Sequence, residues 1–400
     1  MEKATEHNKQ WKKVKLGDLI SDSYAGGTPN RARNDYFGGD IPWVSSGEVN
    51  NPIIDSTIEN ITQVGLNNSS ARWIPENSIL LALYGATAGQ VSMLKIRATA
   101  NQAVLAIIPN NEVVDTQFLF YQIFHNKQSL LFLAQGSGQP NLSKSIVDRL
   151  DISYPDSLPA QRRIAAILST ADKVIEQTRQ LIGKYKSIKQ GMMEDLLKPK
   201  EGWKKVKFDV FFDMLPTNTL SRDNLNDQQG VYQNIHYGDV LIKYPFCMSC
   251  DENEIPYINE GVKFNIAEIK DGDVIFADTA EDDTVGKCIE VMDVRNRKIV
   301  SGLHTYFCRP NFKMEIGYLG YFLNSNHFHN QLLPYIAGSK VSSLNRNSIS
   351  RTYIFYPDLP EQHRIAKILS GIDKKIEAEE KVLEKYEKMK KGLMERLLNG

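Results

Sequence analysis

"LPAQRRIAAILSTADKVIEQ" begins at Leu158, and "LPEQHRIAKILSGIDKKIEA" begins at Leu359. Aligned without gaps from Leu158 to Lys198 and from Leu359 to Asn399, the two stretches are identical at 21 of 41 positions. That is an internal duplication, and its period covers half of the 400-residue chain. Apolar residues recur in each copy at steps of three, four and seven. They are Ile164, Leu168, Ile175, Ile182 and Tyr185 in the first, and Ile365, Leu369, Ile372, Ile376, Leu383 and Tyr386 in the second. This heptad-like stripe predicts a long helix in each copy. A narrow stripe on so long a helix needs a partner, and the simplest partner is the other copy. These residues are therefore the expected coiled-coil interface.

The duplication extends beyond the helices. "WKKVK" at Trp11 returns at Trp203, and "YPD" precedes each helix, at Tyr154 and Tyr356. Between these marks lie short apolar runs broken by turns, such as "SILLALYG", "AVLAIIPN", "GDVIFAD" and "HTYFCRP", which read as strands. The organisation expected is a domain at 1–157, a helical region at 158–199, a second domain at 200–358 and a second helical region at 359–400. The fold class is α+β, with two tandem mixed domains, each followed by a long helix. The two helices would pair as an antiparallel coiled coil with pseudo-two-fold symmetry. The segment "GGTPNRARNDYFGGDIPWVSSGEVNN" at Gly26 has no close counterpart in the second half, so the loops have diverged. A shared scaffold with divergent loops suggests two modules that recognise different things.

Composition narrows the function. Lys plus Arg equals Asp plus Glu at 48 each, so no overall basic field attracts nucleic acid. The first helical copy carries eight basic and four acidic residues, so positive charge is concentrated there. No apolar run reaches the length of a membrane span, and the polar start reads as no signal peptide, which makes a cytoplasmic protein the expectation. The sequence contains no GxxxxGK[ST] phosphate loop and no Gly-rich cofactor turn. Cys247 and Cys250 form a lone CxxC, short of the four ligands of structural zinc, so reduced cysteines and no metal are expected.

The ordered series "GGTPNRARNDYFGGDIPWVSSGEV", "YGATAGQ", "NQAVLAIIP", "GSGQPNLS" and "LPAQRRIAAILSTADKVIE", followed by "VGK", "GSKVSSLN" and "LPEQHRIAKILSGIDKKIE", resembles the specificity subunits of type I restriction-modification systems. The second domain departs from that pattern where "GGTP…IPW" is missing. The resemblance implies that each domain is a target recognition domain reading one half of a bipartite double-stranded DNA site. It implies a coiled coil that sets the spacer and docks two modification subunits, with two restriction subunits joining in some systems. It also implies a non-catalytic chain holding no cofactor, with S-adenosylmethionine, ATP and magnesium on the partners. Rival readings are a stand-alone DNA-binding scaffold, which co-purification would exclude, and a nuclease or methyltransferase without recognised motifs, which activity of the isolated chain would reveal.

Candidate DNA contacts follow from residue type. Arg31 and Arg33 lie in a Gly/Pro-bounded loop, and Arg forks onto guanine O6 and N7. Lys95 and Arg97 sit between two strands. Gln139, Asn141, Ser143 and Lys144 could place an amide on adenine and an ammonium on phosphate. In the second domain the analogues are Ser342, Ser343, Asn345 and Arg346. A basic loop of Arg295, Arg297 and Lys298 is expected at a hairpin tip.

Overall fold

The computed structural model describes residues 11–134, 141–263, 266–282, 284–336 and 342–399. The chain divides into two compact units, residues 1–178 with 382–400, and residues 179–381. The long helices are thus not bodies of their own. Each unit holds one sheet domain and a portion of both helices.

In the first unit the main sheet contains β1 (Ile20–Ala25), β2 (Ile53–Ile54), β3 (Ile79–Ala82), β4 (Val91–Leu94) and β5 (Val104–Pro109), in the order β1-β5-β3-β4-β2. All neighbours are antiparallel except the edge pair β4 and β2. Alternate side chains go to opposite faces of a strand. Ile79, Leu81, Leu105 and Ile107 accordingly pack on helix α1 (Thr116–His125) with Phe118 and Leu119. Leu80, Ala82, Val104 and Ala106 pack on the other face with Val44, Val49 and Ala100. Burial on both faces explains why these strands read as continuous apolar runs rather than alternating ones. A smaller sheet sets Phe37–Val44 between Glu59–Ile61, antiparallel, and Thr99–Ala100, parallel.

The second unit repeats this order. Its strands are β6 (Phe212–Leu215), β7 (Cys247–Ser249), β8 (Val274–Ala277), β9 (Cys288–Met292) and β10 (Thr305–Pro310), arranged β6-β10-β8-β9-β7 with the same parallel edge pair. The smaller sheet again contains a parallel pair, Tyr232–Ile235 with Lys298–Ser301. The second domain therefore keeps the strand layout although it lacks the "GGTP…IPW" residues. Tyr232–Ile235 occupies the place of Ile41–Val44.

The repeated motifs pair with each other. Trp11–Lys15 is antiparallel to Asp151–Pro155, and Lys204–Lys207 is antiparallel to Tyr353–Tyr356. The glutamine of each "LPxQ" is buried and bonded to main chain. Gln161 accepts from the Asp115 N–H at 2.7 Å and donates to the carbonyls of Pro155 at 2.9 Å and Val113 at 3.2 Å. Gln362 accepts from the Glu315 N–H at 3.0 Å and donates to the Pro357 carbonyl at 2.8 Å.

The long helices are α2 (Leu158–Leu196) and, after the short α3 (Tyr318–Leu323), α4 (Leu359–Leu398). At 1.5 Å per residue each is roughly 60 Å long. Within the second unit Lys186 pairs with Glu380 at 2.7 Å and Lys189 with Asp373 at 2.6 Å, so the helices run antiparallel there. In the first unit Lys390 pairs with Asp172. Ile175, Ile182 and Ile376 are buried, and Tyr185, Ile372, Leu383 and Tyr386 are half-buried. Ile164 and Leu168 sit in the first domain's core together with Met394 and Leu398 of α4. Ile365 and Leu369 sit in the second domain's core together with Leu197, just beyond α2. The first two turns of the stripe thus meet both the opposite helical copy and the sheet domain.

Candidate nucleic-acid interface

In the first unit a small apolar cluster of Ile41, Trp43, Ile61 and Ala71, flanked by Phe37 and Trp73, lies behind the smaller sheet. Cations stack on rings in and beside it. The Arg31 guanidinium is 4.4 Å from the Phe37 centroid and 4.9 Å from that of Trp43. Arg97 is 4.3 Å from Trp73, and Arg72 is 4.1 Å from Tyr24. The Tyr24 hydroxyl donates to the Trp73 carbonyl at 2.7 Å, which joins the last two shelves. Trp43 is held by its indole N–H to the Gly27 carbonyl at 3.0 Å. The backbone there is so close that a Cβ on Gly27 would lie 2.3 Å from the Ala71 nitrogen. A stacked guanidinium is pre-oriented, and its edge remains available to a carboxylate, phosphate or base.

Arg31 and Arg33 are exposed and already paired. Both arms of Arg31 reach Glu59, the longer at 2.8 Å, and Arg33 forks onto Asp35 at 2.8 and 2.9 Å. Bonding to Arg33 holds the Asp35 carboxyl below its ordinary value. Contact with a base through either fork requires Glu59 or Asp35 to release it. Arg72 and Arg97 differ, because among the described residues neither pairs with a carboxylate. Sequence reading passed over Arg72, Tyr24 and Trp73. The signal was an arginine beside an aromatic in "ARWIP".

Lys95 bonds the Asn77 side chain at 3.1 Å. Lys95 and Arg97 lie on the connection from β4 to the strand Thr99–Ala100. Arg295 and Arg297 lie on the connection from β9 to Lys298–Ser301. The two basic loops are thus equivalent in topology. The second is not a hairpin tip, because the strands it joins belong to different sheets. Asp293 and Arg295 adopt φ of +58° and +51°, which turns the chain between the sheets. Both Arg295 and Arg297 bind Asp251, and Lys298 lies 5.3 Å from the Tyr232 ring.

Ser143 and Asn345 occupy matching helix caps. The Ser143 hydroxyl accepts from the Ile146 N–H at 3.4 Å, and the Asn345 side chain accepts from the Ser348 N–H at 2.9 Å. Lys144 donates to Ser23 at 2.6 Å and Asp148 at 2.8 Å, and Arg346 reaches the Met214 carbonyl at 3.5 Å. Asn141 is exposed, and Ser342 and Ser343 pair with Ala280 and Thr279. Gln139 lies outside the described residues.

Cys247 and Cys250 do not converge. The Cys247 thiol donates to the Gly317 carbonyl at 3.2 Å on the α3 side, while Cys250 belongs to the opposite cluster. Burial pushes the Cys250 thiol up to about 12, away from the thiolate that metals require. Among the described residues no three His, Cys, Asp or Glu side chains gather as a metal site.

The architecture is that of a duplicated binding protein, with one sheet domain and one long helix per repeat. A family model described as the type I restriction modification DNA specificity domain matches residues 8–184 and again 200–388. The chain belongs to this family and carries its domain twice. It is 24% identical to the type I restriction enzyme MjaVIII specificity subunit of Methanocaldococcus jannaschii, over 98% of this chain and 92% of that one. It is 34% identical to the MjaIX specificity subunit of the same organism, over 43% of this chain and 40% of that one. The fold is shared with the crystal structure of the type I restriction-modification S subunit from M. genitalium, at 13% identity and a TM-score of 0.61, covering 99% of this chain and 98% of that one.

Proposed function

We propose that this chain is the DNA-specificity subunit of a type I restriction-modification complex. The observation that carries the reading is the recurrence of one strand order in two domains whose basic loops occupy the same connection but differ in sequence. Each domain reads one half of a bipartite double-stranded site. Arg31, Arg33, Arg72 and Arg97 serve the first half, and Arg295, Arg297 and Lys298 the second. The paired helices set the spacer and dock two modification subunits, with restriction subunits joining where the host encodes them. The chain itself is not an enzyme. S-adenosylmethionine, ATP and magnesium belong to the partners, where methyl transfer, translocation and cleavage occur. A cytoplasmic location follows from that work, and no described helix is long and apolar enough to cross a membrane.

The test is to assemble the chain with its methyltransferase partner and map modified adenines on host DNA. The expected result is one split motif that disappears when the chain is omitted. Methyl transfer by the purified chain alone would overturn the reading.

A further inference from the structure

One arrangement of three side chains occurs in both units and takes no part in the candidate nucleic-acid interface. In the first unit the Tyr121 hydroxyl, on α1, donates to Asp172 on α2 at 2.7 Å, and Asp172 also binds Lys390 of α4. Lys390 stands 5.9 Å from the Tyr121 ring and 5.3 Å from that of Phe124. In the second unit the Tyr321 hydroxyl, on α3, donates to Asp373 on α4 at 2.7 Å, and Lys189 of α2 binds Asp373 at 2.6 Å. Lys189 stands 4.8 Å from the Phe246 ring and 5.4 Å from that of Tyr321. Each triad joins a helix of the sheet domain, that domain's own long helix, and the long helix of the other repeat.

Asp172 corresponds to Asp373 in the gapless repeat, and Lys189 to Lys390, and both are identical positions. The aspartate of each copy therefore binds the lysine of the other. Both lysine side chains are only 19% exposed, so these charges are withdrawn from water. Burial raises the pKa of both tyrosines, which stay hydroxyl donors at any working pH. A partly buried charge cluster contributes little net stability after desolvation, but its hydrogen bonds are directional. The surrounding core, which includes Leu168 and Phe118 in one unit and Leu369 and Phe322 in the other, is apolar and tolerates sliding.

We propose that the two Tyr–Asp–Lys triads are positioning residues that fix the angle at which each recognition domain is held on the helix pair, and so decide which target spacer is accepted. The proposal rests on the function given above. It assigns spacer fidelity to these six side chains in addition to helix length.

The test uses the complete complex with its methyltransferase partner and targets whose spacer is one base pair shorter or longer than the native one. Tyr321→Phe, Asp373→Asn and Asp172→Asn are each expected to reduce the preference for the native spacer by about five-fold or more, as loss of a ~1 kcal/mol constraint predicts. Preferred bases in both half-sites should stay the same. The charge exchange Lys189→Asp with Asp373→Lys should recover part of the preference. Amide hydrogen exchange on the free full-length chain supplies a second measurement. Tyr321→Phe should speed exchange at 318–323 and leave 116–125 unchanged. Unaltered spacer preference accompanied by a lower melting temperature would make the triads plain stabilisers and overturn the proposal. A wild-type complex that methylates no split target would overturn the function itself, and the spacer role with it, while the exchange data would still report on the lock.

Discussion

At the same address in the two main sheets, on the inner strand of the parallel edge pair, the first unit places Met93 and the second Glu290. Met93 is opposite Ile53, and Glu290 is opposite Cys247. Both are buried. Glu290 accepts from the Gly320 N–H at 2.7 Å, at the start of α3, and its other oxygen has no partner among the described residues. A second address shows the same contrast. The Leu83 N–H donates to the Ala103 carbonyl at 2.7 Å, and the Asp278 N–H to that of His304 at 3.1 Å. His304 holds a φ of +54°, and its ring faces Asp278 at 3.3 Å. The backbone ladder is thus indifferent to whether an address is apolar or ionisable, provided that a polar residue finds a donor. Topology was kept while the chemistry drifted.

Four experiments would break or sharpen this contrast. Trp43→Ala removes the largest buried ring of the first unit's smaller sheet and the shelf under Arg31. It should cost about 3–5 kcal/mol. The expected signature is an early melting step confined to the first unit and loss of the first half-site in methylation assays.

Glu290 gives the second unit a pH dependence that Met93 cannot give the first. Burial pushes its carboxyl from an ordinary 4.5 up to about 7. Because the folded pKa is raised, the stability from this residue is complete below pH 4.5 and is lost as pH rises through 7. The loss amounts to about 3 kcal/mol. Denaturant titrations of Glu290→Gln between pH 5 and 8 should show that slope flattened, with the first unit unaffected.

Replacing Arg31 and Arg33 with Ala should weaken recognition of the first half-site by about 1–3 kcal/mol per base contact. Equal loss at both half-sites would contradict independent reading. The smallest effect belongs to the caps. Ser143→Ala and Asn345→Ala should each cost about 1 kcal/mol and leave base preference untouched. A changed base preference would make these residues readers as well as caps.

Much of the framework could be read from the chain. The duplication, both long helices and the strands at "SILLALYG", "AVLAIIPN", "GDVIFAD" and "HTYFCRP" follow from local pattern, and the helices begin at Leu158 and Leu359. The heptad stripe shows which face is buried but not what covers it. That is why Ile164 and Leu369 read as coiled coil and also prove to be core. The parallel pairing of Trp43 with Thr99, or of Tyr232 with Lys298, has no local signal. Without that pairing, the equivalence of the Lys95 and Arg295 loops and the shelf formed by Tyr24, Arg72 and Trp73 remain hidden. A serine or asparagine before a short helix has the right chemistry for capping and for reading a base, so residue type alone does not separate the two roles at Ser143 and Asn345.

The buried glutamine of "LPxQ" bonds only to main chain, at Asp115, Val113 and Pro155 in one unit and at Glu315 and Pro357 in the other. A socket made of peptide groups does not read the sequence of what is plugged into it. A sheet domain borrowed from another lineage, provided that it ends in the same strand and proline and keeps the tyrosine that meets Asp172 or Asp373, would seat on Gln161 or Gln362. Recombination at this joint would therefore exchange one half of a vocabulary while the other half stays intact.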